Sequence, residues 1–160
     1  MPIAPIPPEL LHLYEYRLKF HTDQIHNFYN YYGADYTGEE LRIAYDAIIN
    51  EMEGVLQGDK HEMYPEIQIE NVFRKLFLRK NTKPDHMLAI YAGQFFRVLT
   101  TEYIRLYDGV GELLDELKQR GACLYLLSNA QRIFTEYEMR ALHIYDCFDS
   151  VYISSDHFLS

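Results

Sequence analysis

Apolar residues recur at helical spacing through roughly the first hundred positions of this chain, then gather into short continuous runs. Leu10, Leu11, Tyr14 and Leu18 share one helical face, and Ile25, Phe28, Tyr29 and Tyr32 mark a second stretch that Gly33 is placed to stop. Thr37-Gly-Glu-Glu40 sets a hydroxyl three residues before a carboxylate, the spacing of a capping box. Behind it Leu41, Ala44, Tyr45, Ile48, Ile49 and Met52 form one stripe. Gly54 to Lys60 is polar and reads as a loop, and Pro65 suits a first helical turn. Ile69, Val72, Phe73, Leu76 and Phe77 renew the stripe, Asn81 to Asp85 breaks it, and Leu88, Tyr91, Ala92, Phe95, Phe96 and Leu99 make another. Four prolines crowd Met1 to Pro8, which reads as an extended leader. Residues 9–104 therefore predict an all-helical bundle of about four helices without a strand.

The pattern changes near Tyr107-Asp108-Gly109. Val110, Leu113, Leu114 and Leu117 predict a short amphipathic helix closed by Gly121. Ala122 to Leu127 is apolar on both faces, as in a strand covered by helices on both sides. Gln131 to Leu142 is helical again, and Val151 to Ile153 reads as a second short strand. Helix, strand, helix, strand is the order of a parallel α/β sheet, so residues 105–160 read as an α/β unit. With only two recognisable strands, such a sheet exposes apolar edges and one face.

Composition narrows the function. The chain has 160 residues, 48% hydrophobic, enough for a packed core. Its 24 acidic against 15 basic side chains give a net charge of −9, which argues against a nucleic-acid surface. No apolar run approaches the ~20 residues of a membrane helix, and no signal-peptide pattern opens the chain. Cys123 and Cys147 lie in apolar stretches and read as reduced core thiols of a cytoplasmic protein. The 15 tyrosines fall mostly at helical spacing and read as packing residues.

The candidate chemistry sits at Leu124-Tyr-Leu-Leu-Ser128-Asn129, an apolar run ending in a hydroxyl and an amide. The strand-to-helix junction of a parallel sheet is a site for anions. Ser128 is the leading candidate as a catalytic and substrate-binding residue, and its structural counterpart is the N-cap of a helix beginning near Ala130. Asn129 is a candidate for substrate binding or simple turn chemistry. Asp108, ahead of Gly109, reads as a turn residue. The seven histidines lack metal-ligand spacing: His21 and His26 are five apart, His61-Glu62 has no second histidine in register, and His12, His86, His143 and His157 are scattered.

A helical bundle followed by helix, strand, Ser-Asn, helix and strand resembles the haloacid dehalogenase-like hydrolases, in particular members with a helical cap. Tyr107-Asp108-Gly109-Val110 looks like the return into their core. Leu124 to Asn129 looks like their second motif, and Val151-Tyr-Ile-Ser-Ser-Asp156 like the next strand and loop, so the likeness runs over about residues 20–160. The resemblance implies a partial Rossmann-like core beneath an all-helical cap. It also implies Mg²⁺-dependent phosphoryl transfer from a small phosphorylated metabolite to an aspartate nucleophile, with Ser128 contacting a phosphoryl oxygen and Asp156 shaping its loop. The aromatic residues Phe28, Tyr29, Tyr31, Tyr32, Phe95 and Phe96 would then belong to the cap, where a packed core is their default role. The family's Asp-x-Asp motif does not precede residue 20: His12 to Lys19 holds Glu15 as its only acid. The Lys and the metal-binding acids would fall beyond Ser160. The chain accordingly reads as an inactive fragment, truncated frame or degenerate copy, with no metal ligands of its own. A non-catalytic helical module that binds a protein partner is the alternative, and attack at carbon, as in a dehalogenase, needs the same aspartate.

Overall fold

The box foreseen at Thr37 closes in both directions. The Glu40 carboxylate accepts from the Thr37 N–H at 2.9 Å, and the Thr37 hydroxyl accepts from the Glu40 N–H at 3.2 Å. The computed structural model describes residues 23–57 and 67–155. Helix α1 covers residues 23–31. Then follow α2 (Gly38–Gln57), α3 (Ile69–Arg79), α4 (His86–Thr100), α5 (Val110–Gln119), β1 (Tyr125–Ser128), α6 (Arg132–Ala141), a 3-10 turn (Tyr145–Cys147) and β2 (Ser150–Ile153). The leader at 1–8, the face from Leu10 to Leu18, Pro65 and Asp156 lie outside the described residues. Among the described residues no helix is long and apolar enough to cross a membrane.

Four helices end in one way. A residue with positive φ (Gly33, Asn81, Gly121 or His143) turns the chain. The next N–H then bonds back five residues, as from Ala34 to the Tyr29 carbonyl and from Ala122 to the Leu117 carbonyl, both at 3.0 Å. Helix α4 opens instead on a side-chain cap, the Asp85 carboxylate accepting from the Leu88 N–H at 2.7 Å. One expected boundary moves: Gly54 lies inside α2, which runs on to Gln57. A single helical glycine costs about 1 kcal/mol, too little to end a helix anchored by the buried stripe before it.

The stripe of α3 is the centre of the core. Val72, Phe73, Leu76 and Phe77 are all buried. Tyr29, Tyr36, Leu41, Ala44 and Ile48 close on them from α1, the loop after it and α2. Two buried phenols are satisfied by α3 itself: the Tyr29 hydroxyl donates to the Phe73 carbonyl at 3.1 Å and the Tyr36 hydroxyl to the Leu76 carbonyl at 2.7 Å. Phe28 stacks on Phe95 with ring centres 5.5 Å apart, and Phe96 lies 5.7 Å from Phe73. Phe28, Tyr29, Phe95 and Phe96 are packing residues, as expected, but Tyr31 is 82% exposed and Tyr32 43%. On α4 the expected Tyr91 is also largely exposed, while Ala89, Ala92 and Gly93 are buried. Helix α4 is packed by α3 on one side and α6 on the other, so small residues let the backbones approach.

β1 and β2 pair in parallel, with Leu126 opposite Val151 and Ser128 opposite Ile153. One face carries Leu126, Ser128, Val151 and the fully buried Ile153. On the other, Tyr125, Leu127 and Tyr152 stand out, Leu127 at 83% exposed. A strand covered on both sides, as the apolar run alone suggested, is therefore not what forms. Only two strands pair among the described residues, and one face of the ladder lies open. For the same reason Cys123 is an exposed thiol rather than a core one, and Cys147 is half-buried; both are free.

Gly93 sets the distance between the bundle and α6. A Cβ there would stand 2.7 Å from Ile133 Cδ1 and 2.9 Å from Phe73 Cδ2. Gly93→Val is expected to destabilise by about 1–3 kcal/mol through overpacking, read as a lowered thermal midpoint. Gly111→Ala, whose Cβ meets nothing within 4 Å, should not lower it.

The core also predicts an alkaline limit. Burial holds the Tyr29 hydroxyl well above the ordinary phenol range, helped by repulsion from Tyr36 and Tyr45, and burial likewise raises Tyr36 and Tyr45. A raised folded-state value favours the neutral form, so its contribution is complete below the unfolded phenol value of about 10 and declines as pH climbs above it. Urea unfolding midpoints should stay level up to that pH and then fall. Tyr29→Phe should lose about 1 kcal/mol at neutral pH and flatten the alkaline decline.

Candidate functional site

The apolar run Leu124 to Leu127 gives β1, and Ser128 closes it. Three residues, Asn129 to Gln131, separate it from α6. The expected cap arrangement does not form. Helix α6 starts at Arg132, not near Ala130, and its N-cap residue is Gln131, so Ser128 caps no helix. Gln131 is the N-cap without capping by its side chain, because that side chain is engaged elsewhere. Its Oε1 accepts from the Ile69 N–H at 3.0 Å and its Nε2 donates to the Ile67 carbonyl at 2.8 Å, tying the loop to the start of α3.

The capping hydroxyls come from beyond β2. Ser155 Oγ accepts from the Arg132 N–H at 3.0 Å, and Ser154 Oγ accepts from the Ala130 N–H at 3.2 Å. Both satisfy donors at the head of α6 that no local side chain reaches. Ser155 is the buried polar residue of this junction, and its carbonyl accepts from Gln68 Nε2 at 3.3 Å. Ser154 also donates to Asn129 Oδ1 at 2.8 Å. These two serines belong to the candidate site, and the sequence pattern did not single them out. The available signal was two hydroxyl residues directly after an apolar run, in register with a strand-to-helix junction.

Of the two residues expected to bind substrate, Ser128 is half-buried and Asn129 exposed. Among the described residues nothing hydrogen-bonds the Ser128 hydroxyl, whereas the Asn129 carbonyl oxygen is engaged by Ser154. The site thus presents an uncommitted hydroxyl and a side-chain amide whose NH₂ remains a donor, at the end of a parallel strand. That donor set suits an anionic oxygen. Asp149 stands at the other end of the ladder. Its carboxylate accepts from the Leu124 N–H at 2.6 Å and sits 3.3 Å from Lys118 Nζ, and these partners, in that order, hold its pKa below the usual carboxylate range. Asp108 pairs with Arg105 at 3.3 Å in the turn before α5, as a turn residue should.

The described residues do not fit a divalent cation: no group of three or more His, Cys, Asp or Glu side chains converges among them. Mg²⁺ is general to the hydrolase family that the sequence resembles.

The family model of the haloacid dehalogenase-like hydrolases matches residues 37–160. No curated protein and no solved structure matches the chain. A match over that span, with a parallel β–α–β unit whose first strand ends at Ser128 just ahead of Asn129, means that the chain belongs to the haloacid dehalogenase-like hydrolase family.

Proposed function

We propose that the Ser128 end of β1 is the phosphoryl-oxygen site of a phosphatase-type hydrolase, and that this chain by itself does not turn over. The carrying observation is the Ser128 hydroxyl, which closes the strand with no hydrogen bond among the described residues. In this reading Ser128 donates to a phosphoryl oxygen and Asn129, held by Ser154, presents its amide beside it. The substrate is a small phosphorylated metabolite, and the setting is cytoplasmic. Residues 9–104 serve as the helical cap and 105–160 as part of a Rossmann-like core. The inactivity rests on chemistry rather than on shape. Phosphoryl transfer to a carboxylate needs a positioned aspartate with a neighbouring acid and a neutralising cation. No two aspartates stand two apart anywhere in the sequence, and no metal-binding cluster forms among the described residues.

Two measurements test the two halves separately. With 4-nitrophenyl phosphate and Mg²⁺, the purified chain should release nitrophenol no faster than the protein-free blank. Hydrolysis that disappears in Ser128→Ala would overturn the inactivity. In amide NMR titrations with inorganic phosphate, the signals of residues 128–130 should shift saturably, and Ser128→Ala should weaken the binding by about three- to tenfold, the loss of one hydrogen bond. Unmoved signals in a folded protein would remove Ser128 as an anion site.

A further inference from the structure

We propose that the chain carries a second ligand site beside the Ser128 junction, sharing Ser155 with it: a cleft between the first turn of α3, helix α4 and helix α6 that takes a small monocarboxylate with an apolar body. The cleft encloses about 700 Å³, within the range of small-molecule sites. Ser128 and Asn129 do not line it.

Its apolar part is supplied by Ile90 of α4 and the buried Ile133 of α6. Its charged part is a row on α6, Arg132, Glu136 and Arg140, spaced one helical turn apart. Glu136 holds both guanidinium groups. One oxygen lies 3.3 Å from Arg132 Nη1, and the other accepts from Arg140 Nη2 at 2.8 Å and from Arg140 Nε at 3.0 Å. The Arg140 guanidinium is also fixed over the Tyr145 ring, 3.8 Å from its centre. Arg140 Nη1 then keeps two N–H donors and Nη2 its second one without a partner among the described residues, which leaves the Nη1–Nη2 edge as a free fork. A guanidinium already held in place loses little further freedom when it binds, and its flat fork matches a carboxylate.

Charge decides between anions. Arg132 and Arg140 are offset inside the cleft by Glu136 and by Glu70 at the head of α3. The four sum to zero. A neutral site with one free fork tolerates a single negative charge on the ligand, whereas a phosphate dianion meets two fixed carboxylates. Gln94 donates to the Ile133 carbonyl at 3.3 Å and keeps its own oxygen as an acceptor on the α4 wall. An apolar acid that carries a hydroxyl or amide N–H can use it.

The test is an NMR titration of the full chain with phenylacetate, phenylacetamide and phenyl phosphate, following the Ile90 and Ile133 methyl groups and the Arg140 Nε–H signal. Phenylacetate should shift all three saturably in the millimolar range, with phenylacetamide about tenfold weaker for want of the charge-assisted bonds. Arg140→Gln should weaken phenylacetate by a similar factor while leaving the melting curve and the phosphate response of residues 128–130 in place. Because Arg140 also steadies Glu136, Ala141→Leu, which narrows the cleft from its exposed side, provides a second variant and should also weaken phenylacetate. Three outcomes overturn the proposal: no saturable shift in the folded protein, equal binding of the uncharged amide, or tighter binding of phenyl phosphate at the cleft.

Discussion

The structure turns on one missing side chain. Phe73 from α3 and Ile133 from α6 both reach the backbone of α4 at Gly93, where any Cβ would overlap them. That close approach joins the helical bundle to the α/β unit. Phe134 of α6 extends the contact into the bundle core. Since α6 follows the Ser128 junction by three residues, its seat on α4 also places the end of β1. The Gln131 side chain strengthens the same junction with two bonds to backbone groups on either side of Gln68. Apolar contact sets the distance, and the amide sets the register, because leaving a half-buried backbone donor there unpaired costs free energy.

At the far side of that junction the hydrogen bonds run between segments rather than within them. A helix whose own N-cap residue is otherwise engaged leaves its first N–H groups needing acceptors. Ser154 and Ser155 supply them from the turn after β2, so the two loops at the end of the parallel ladder are held as one unit. The consequence for chemistry is that Ser128 is relieved of the capping role. Its hydroxyl is available to a ligand, while Asn129 is oriented by its bond to Ser154. The same ladder leaves Tyr125, Leu127 and Tyr152 on an open face, an arrangement far from the doubly covered sheets in which parallel strands usually occur.

Much of this was legible in the chain. The stripes of α2 and α3, the Thr37 box, the stops at Gly33 and Gly121, and the order of strand, helix and strand all form where the sequence places them. Each depends on residues within a few positions of one another. Ser128 at the end of its strand was readable on the same basis, as was membership in a hydrolase family. Less legible was which residue of a stripe faces inward when two helices compete for it. On α4, Tyr91 fits the period as well as Ala89 or Gly93 do, but only the small residues allow α3 and α6 to close in together.

Local periodicity and turn chemistry determined the elements, their ends and the hydroxyl that closes β1, because those signals act over one or two helical turns. Tertiary structure alone decided that Gln131 would bond to α3 rather than cap α6. It also decided that two serines 23 and 24 residues further on would cap in its place, and that Leu127 would face outward. Each of these depends on groups brought together from distant parts of the chain, and the free energy of satisfying a buried donor or covering an apolar face belongs to that assembled surface, not to the segment that carries the residue.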